Sequence, residues 1–430
     1  IKIIIQTKNI FFFFMIKKLK LLIYNFLLKS QKITGTDNVY IAKHGFYLIA
    51  GQFVSVIAAI LSSVAFARLL PKETYGNYQY ILSIMSTLAI AALDGINKSV
   101  VQGVARGFEG ALKEGFRVKL KWGLFGSIAS IAIAIYFWFN GNIEFTVSFL
   151  IIAVFMPLFK SGEIYQSYLD GKKLFGKRVA YTTLVQVIST ILLFVALLFT
   201  KSLIVLILVY FVSYTGLRLF FIFLVIKKER PKNENDPQII SYGKHLSLMG
   251  IVGLIAQQID KILLFYFVGP IQLAIYSFAT IPVEYLTSSL QSIGEIALPK
   301  FSTSSKEKIK QTLPKKLLLS IILIILIILI YIIVAPYLYK IFFPQYMNSV
   351  FYSRLFSLSL LVFPITMLRV SLQSQMMTKE LYKISIASPV ILIILLSVLT
   401  PLYGILGVVI ARLLSHVFYF FLAWIPFKKM

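Results

Sequence analysis

The chain has 430 residues, of which 59% are hydrophobic and only 14% are charged, and its formal net charge is +27. A soluble protein carries roughly a quarter charged residues, so this composition excludes an ordinary soluble enzyme. The absence of cysteine excludes disulfides, thiolate catalysis and cysteine-bound metals. The three histidines, His44, His245 and His416, lie far apart in sequence, and we expect no metal site.

The N-terminal residues differ from the rest of the chain because lysines interrupt their apolar runs. Residues 1–44 are predicted to form an N-terminal cytoplasmic or interfacial segment. Within it, the stretch 15–32 is basic and amphipathic, as in a helix that lies at a membrane surface. Met15 and the residues after it resemble a native start, so residues 1–14 are interpreted either as non-native upstream read-through or as a trimmed terminus.

Twelve apolar blocks follow, with lengths near the roughly 20 residues that cross a bilayer core. Backbone polar groups in lipid must be satisfied within a segment, so we expect helices rather than strands. The sequence therefore predicts an all-α integral membrane protein with twelve transmembrane helices. The predicted spans are 45–66, 79–97, 122–139, 145–166, 179–200, 203–226, 245–268, 272–292, 317–340, 350–372, 384–400 and 404–426.

Basic residues alternate between the loops. The loops on one side hold 33 lysines and arginines, and the loops on the other side hold 4. The positive-inside rule assigns the richer side, with both termini, to the cytoplasm of a bacterial cell. Because these charges lie in short loops rather than on a folded patch, we expect no nucleic-acid partner.

A polar stretch at 227–244 divides the spans into six and six. It is predicted to be a cytoplasmic linker between an N-terminal lobe (45–226) and a C-terminal lobe (245–427). An internal repeat supports this division, because a Pro-containing turn after the first span and another after the seventh each lead into a small-x-Tyr motif. Transporters are often built from such repeats, with the substrate site between them.

Ten charged residues fall inside the predicted spans, where each costs about 2.5–3.5 kcal/mol on insertion scales. The cations outnumber the acids, which favours an anionic substrate because Arg and Lys pair well with phosphate oxygens. The ten are Lys160, Arg218, Lys261, Arg354, Arg369, Arg412, Asp94, Glu163, Asp260 and Glu284. The candidate substrate-binding cations are Lys261, Arg218, Arg412, Arg369, Lys98 and Lys160.

Spacing predicts two ion pairs near the cytoplasmic ends of helices. Asp94 and Lys98 are four residues apart, and Lys160 and Glu163 are three apart, so each pair shares a helix face. The alternative for each is a position that lines a cavity.

The acidic residues of the second half are interpreted differently. Asp260 and Lys261 are adjacent and point about 100° apart, so they cannot pair face to face and at least one must face the bundle or a cavity. Glu284 follows Pro282 by two residues and is predicted either to bind a cation or proton or to pair with Lys261. The candidate ion-coupling residues are Asp260, Glu284 and Asp94, for H⁺ or Na⁺, and no other cofactor is expected.

Two stretches carry a family resemblance. The run from Ala67 to Tyr78, ARLLPKETYGNY, resembles the "A-R-x-L" turn and "(F/Y)-G-x-Y" motif of bacterial polysaccharide flippases. The run from Gln258 to Leu264, QIDKILL, is similar to their "x-x-D-(K/R)-x-x-L" helix, and Leu298-Pro299 follows further along. These flippases belong to the multidrug/oligosaccharidyl-lipid/polysaccharide exporter superfamily.

The resemblance implies a MATE-like, V-shaped bundle of two six-helix lobes around a central cavity, with Asp260 and Lys261 on a cavity helix. It implies a flippase that moves undecaprenyl-pyrophosphate-linked oligosaccharide across the cytoplasmic membrane for O-antigen or other surface polysaccharide, with membrane lipids and other polysaccharide-assembly proteins as partners. The lipid II flippases of this superfamily usually have fourteen spans, which counts against that branch.

Two alternatives stay open. A multidrug or small-molecule cation antiporter on the same fold predicts an acid-dominated cavity. A membrane polysaccharide polymerase or ligase predicts a large outer loop, whereas the outer loops expected here are short.

Overall fold

A computed structural model describes residues 38–295 and 305–429 of the chain. These residues are helical almost throughout, and short turns join the helices. In chain order the helices are α1 (Asn38–Leu69), α2 (Lys72–Leu88), α3 (Gly95–Ala105), α4 (Ala111–Phe139), α5 (Ile143–Ser161), α6 (Ile164–Gly171), α7 (Phe175–Phe199), α8 (Leu203–Glu229), α9 (Pro237–Ala256), α10 (Ile259–Val268), α11 (Pro270–Glu295), α12 (Lys306–Phe342), α13 (Ser349–Phe356), α14 (Val362–Ser374) and α15 (Thr378–Lys429). The predicted interfacial helix and the Leu298-Pro299 motif lie outside the described residues.

Eight helical segments are long and apolar enough to cross a membrane, or nine when the bent α2–α3 pair is one span, within residues 38–295 and 305–429. This total treats α15 as a single segment, although Gly404 inside it has φ 56° and ψ −129°, a conformation that only glycine adopts readily. The apolar part of α1, Phe53–Leu69, is shorter. The multi-pass, all-helical membrane architecture is confirmed, and the number of twelve spans stays a prediction.

The second predicted span is broken near its middle. Helix α2 runs into a 3₁₀ turn at Ala89–Ala92, and Leu93 then adopts a left-handed conformation with φ 57°. Helix α3 continues from Gly95 at an angle of 47°. The side chain of Asp94, at this break, makes no capping hydrogen bond to α3, so its carboxylate is available to other helices.

Helices α4 and α5 form a closely packed hairpin. A Cβ added to Gly123 would lie 2.8 Å from the Cα of Pro157. The Ser127 hydroxyl donates to the Ala153 carbonyl oxygen at 2.6 Å, and the Ser130 hydroxyl donates to that of Phe149 at 2.7 Å. Small residues and interhelical hydrogen bonds drive helix association where lipid removes the hydrophobic effect.

The two repeat motifs face each other at the end of the bundle that carries Leu70. A Cβ added to Gly76 would lie 1.9 Å from the carbonyl oxygen of Pro270. The ring centroids of Tyr75 and Phe278 are 4.7 Å apart. These contacts join the first half of the chain (residues 38–229) to the second half (residues 237–429) and close the bundle at the Leu70 end.

The connection between the halves is held at the opposite end. Helix α8 continues to Glu229 and α9 begins at Pro237, which leaves residues 230–236 between them. The Glu109 carboxylate accepts hydrogen bonds from Lys172 Nζ at 2.6 Å, the Tyr168 hydroxyl at 3.1 Å and the Lys232 backbone nitrogen at 3.2 Å. This carboxylate therefore fixes the connection to the first half.

Candidate functional site

Two cavities lie between the described helices, toward the end of the bundle that carries Glu109. Cavity A has a volume of about 490 Å³ and is lined by α1, α6, α7, α8 and α11. Cavity B has a volume of about 700 Å³ and is lined by α3, α9, α14 and α15. Both volumes fall within the range of about 300–1,000 Å³ that is usual for ligand sites. Each cavity is built mainly by one half of the chain and is completed by one helix of the other half.

Cavity A is strongly polar. Its charged lining consists of Glu163, Arg178 and Arg218, so two cations face one carboxylate. The Arg218 guanidinium lies 4.1 Å from the ring centroid of Phe159 and donates to the Phe159 carbonyl oxygen at 2.9 Å. Its Nε is buried without a hydrogen-bond partner among the described residues. The uncharged polar lining consists of Ser55, Tyr165, Gln166, Thr182, Gln186, Tyr214, Tyr285 and Ser288.

A chain of ion pairs links the linings of the two cavities. Lys160 Nζ lies 3.5 Å from Asp94 Oδ2, which belongs to cavity B, and 3.2 Å from Glu163 Oε1, which belongs to cavity A. Arg218 Nη1 lies 3.4 Å from the same Glu163 oxygen. The predicted pair of Lys160 and Glu163 is confirmed.

Lys119 belongs to this chain of ion pairs and was missed by the sequence analysis. The third predicted span begins at residue 122 and leaves Lys119 in a cytoplasmic loop, but α4 begins at Ala111 and buries the Lys119 side chain completely. Its Nζ lies 3.4 Å from Asp94 Oδ1 and 2.9 Å from Asn97 Oδ1. A sequence signal was present, because Gly115 and Gly123 lie one turn away on each side and mark a packed helix face.

The predicted pairing of Asp94 with Lys98 is wrong. The break at Leu93 places the Asp94 carboxylate against Lys119 and Lys160 instead. Lys98 is exposed and lines cavity B.

Cavity B combines two cations with apolar walls. Lys98 and Arg369 line it together with Asp94, whose carboxylate is already paired. Arg369 lies beside Tyr419. The apolar lining includes Ile90, Leu246, Leu254, Leu381, Ile384 and Ile386. Cavity B therefore offers an amphipathic, net positive interior.

A separate group of predicted site residues lies between α10, α11 and α15. Its members are Asp260, Lys261 and Arg412. Asp260 is fully buried and accepts hydrogen bonds from Arg412 Nε at 3.0 Å, the Tyr276 hydroxyl at 2.5 Å and the Lys261 backbone nitrogen at 2.8 Å. Arg412 is thus paired with a carboxylate rather than presented to cavity A or B. The prediction that at least one of Asp260 and Lys261 faces the bundle or a cavity is confirmed by the burial of Asp260, and the role of Asp260 in ion coupling stays a prediction.

Of the two interpretations of Glu284, the binding of a cation or proton stays a prediction, and the structure tests only the ion pair. Its side chain is exposed on α11, and no basic nitrogen of the described residues lies within ion-pairing distance of its carboxylate. Pairing with Lys261 is therefore wrong. No group of three His, Asp or Glu side chains in residues 38–295 and 305–429 could hold a metal ion.

The predicted cations are therefore divided among three places rather than gathered in one chamber. Lys160 and Arg218 belong to the ion-pair chain beside cavity A, Lys98 and Arg369 line cavity B, and the Asp260 group lies apart from both linings. The sequence identified the charged residues, but it could not divide them between two cavities.

The fold is shared with solved transporters. An inward-facing MATE family multidrug resistance transporter of the MOP superfamily aligns with a TM-score of 0.64 and 13% identity, covering 87% of this chain and 95% of that one. The lipid II flippase MurJ, inward closed, aligns with a TM-score of 0.65 and 14% identity, covering 89% and 87%. A MOP superfamily transporter from Pyrococcus furiosus, described by a reverse polarity of its binding pocket, aligns with a TM-score of 0.59 and 13% identity, covering 90% and 95%.

These identities show the fold alone, and a search of curated proteins finds no match. A match to a protein-family model, in contrast, shows to which family the sequence belongs. Residues 41–305, more than half of the chain, match the model described as polysaccharide biosynthesis protein. The chain therefore belongs to the polysaccharide biosynthesis protein family.

Proposed function

We propose that the protein is a flippase that moves undecaprenyl-pyrophosphate-linked oligosaccharide across the bacterial cytoplasmic membrane by alternating access, coupled to H⁺ or Na⁺. The observation that carries the proposal is cavity A, a polar space with two arginines and one carboxylate inside a membrane bundle. Family membership and the fold shared with a lipid II flippase support it.

The chemistry of cavity A suits the polar head of such a substrate. Arg178 and Arg218 offer the planar donor groups that bind phosphate oxygens well. The serine, threonine, glutamine and tyrosine side chains of the lining can exchange hydrogen bonds with sugar hydroxyls. A polar cavity of this kind lowers the cost of bringing a charged sugar phosphate into the hydrocarbon core.

The shape of the bundle suits the inward stage of an alternating-access cycle. The helices close at the Leu70 end, and both cavities lie toward the Glu109 end, which the positive-inside rule assigns to the cytoplasm. Two six-helix lobes that rock against each other would then open the Leu70 end and release the substrate outward.

The MATE likeness keeps a cation antiporter as the second candidate. That function predicts a cavity in which acids dominate, whereas cations outnumber acids in the charged lining of both cavities. Resistance to cationic drugs in an efflux-deficient host would support the antiporter and count against the flippase.

Transport can be tested with purified protein in liposomes. The probe is a fluorescent undecaprenyl-pyrophosphate oligosaccharide, whose exposure on each leaflet is measured with a membrane-impermeant quencher. We expect wild-type protein to move it and Arg218→Gln to lower the rate at least tenfold. Lys201→Gln, at an exposed turn of the opposite end, is the matched control and should leave the rate unchanged. Normal surface polysaccharide in a deletion strain, without accumulation of lipid-linked units, would overturn the proposal.

A further inference from the structure

Helix α9 presents two glycines to cavity B with empty space in front of them. A Cβ added to Gly250 or Gly253 would meet no heavy atom within 4 Å. Gly243, earlier on the same helix, differs, because a Cβ there would lie 2.4 Å from Ser99 Oγ. A glycine inside a helix costs about 1 kcal/mol relative to alanine. Helix packing requires Gly243, but no packing contact in the described chain requires the two glycines at cavity B.

The walls and charges of cavity B define what could lie against this glycine surface. Most of its lining surface is apolar, which suits a hydrocarbon chain. Lys98 and Arg369 add two positive charges, and no carboxylate of the described residues lies within 4.0 Å of either. The single acid of the lining, Asp94, is neutralised by Lys119 and Lys160. A hydrocarbon chain that ends in a phosphate matches both properties.

The ion-pair chain connects this site to cavity A. Lys160 belongs to neither lining, but its Nζ contacts a carboxylate from each one, Asp94 of cavity B and Glu163 of cavity A.

We infer that cavity B binds the phosphate-proximal end of the polyprenyl chain, while cavity A binds the sugar of the same substrate. This inference rests on the proposed flippase function and assigns the two parts of its cargo to two cavities. Gly250 and Gly253 give the isoprenoid chain a smooth backbone surface, and Lys98 and Arg369 bind the phosphate that is attached to this chain.

The test uses the full chain in nanodiscs and a photoreactive undecaprenyl phosphate that carries no sugar. Gly250→Leu and Gly253→Leu add apolar side chains to cavity B at positions where the new Cβ meets no heavy atom within 4 Å. Gly216→Leu on α8 is the matched control, because its Cβ also meets open space but lies outside both linings. We expect labelling to fall at least tenfold in the two cavity-B variants and to stay at the wild-type level in Gly216→Leu. Lys98→Gln combined with Arg369→Gln should weaken labelling in the same way.

Several outcomes would overturn the assignment. Unchanged labelling in Gly250→Leu, equal loss in Gly216→Leu, or equal competition by phosphatidic acid would each contradict an isoprenoid site in cavity B. If wild-type protein transports the lipid-linked oligosaccharide while cavity-B variants keep full labelling, the assignment fails and the flippase proposal stands. If transport is absent but the labelling pattern is as expected, the flippase proposal fails and cavity B remains an isoprenoid phosphate site.

Discussion

Arg412 on α15 donates from Nε to the Asp260 carboxylate on α10 at 3.0 Å, although the two residues are 152 positions apart in the chain. Asp260 is fully buried, and the Tyr276 hydroxyl donates to the same carboxylate oxygen at 2.5 Å. This ion pair joins two helices of the second half through groups that lipid could not solvate.

Breaking this pair should destabilise the protein strongly. We expect Asp260→Leu to lower the free energy of unfolding by about 3–5 kcal/mol, because Arg412 then keeps a buried charge without its partner. The double variant Asp260→Leu with Arg412→Met should recover much of this loss. Thermal unfolding in detergent measures the cycle, and a double variant no more stable than Asp260→Leu alone would contradict the interpretation.

Lys119 should matter for stability although it carries a charge inside the bundle. Lys119→Met removes a donor from both Asp94 and Asn97, and we expect a loss of about 1–3 kcal/mol in the free energy of unfolding. Lys121→Met, two residues further along α4 and exposed, is the matched control and should change stability little. Equal effects of the two substitutions on the unfolding temperature would show that Lys119 has no structural role.

The Glu109 contacts should make the free energy of unfolding depend on pH. The hydrogen bond from Lys172, with those from the Lys232 backbone and the Tyr168 hydroxyl, holds the pKa of Glu109 below its usual value. A lowered folded-state pKa gives stability that is present above the unfolded pKa of about 4.3 and is lost as pH falls through the folded pKa.

The variant Glu109→Gln tests this dependence. It should unfold at a lower temperature than wild type at pH 7, and the difference should shrink as the pH falls below about 4.3. Glu234→Gln, with an exposed side chain in the connection between the halves, should show no such difference. A gap between wild type and Glu109→Gln that is constant with pH would contradict the role of the carboxylate charge.

The close approach of Gly76 to Pro270 should keep the two halves in contact at the Leu70 end of the bundle. Gly76→Ala places a methyl group 1.9 Å from a backbone carbonyl oxygen, so the halves must separate there. Because the chain has no cysteine, Ser277→Cys on α11, a buried position, can report this opening without background labelling. We expect maleimide to label this cysteine faster in the Gly76→Ala variant than in a Gly216→Ala control, and equal rates would contradict the closure.

The sequence predicted the elements that depend on local pattern and missed those that depend on contacts between helices. Hydropathy predicted an all-helical membrane protein, although the number of spans stays a prediction, and the spacing of Lys160 and Glu163 gave a correct ion pair. Hydropathy placed the third span at 122–139, however, because it detects lipid-facing turns and not the earlier turns of α4 that pack on protein. The partner of Asp260 could not be inferred, since no local spacing connects it to Arg412.

Each cavity is completed by a helix of the opposite half: α11 of the second half completes cavity A, and α3 of the first half completes cavity B. Any displacement of one half relative to the other must therefore reshape both binding spaces together. Consider a ligand in one cavity that binds more tightly to one arrangement of the two halves. By thermodynamic linkage, this ligand raises the affinity of the other cavity for any ligand that prefers the same arrangement. A substrate that occupies both cavities would thus be bound and released cooperatively. A fragment that occupies only one cavity would shift the equilibrium between the arrangements of the halves only weakly.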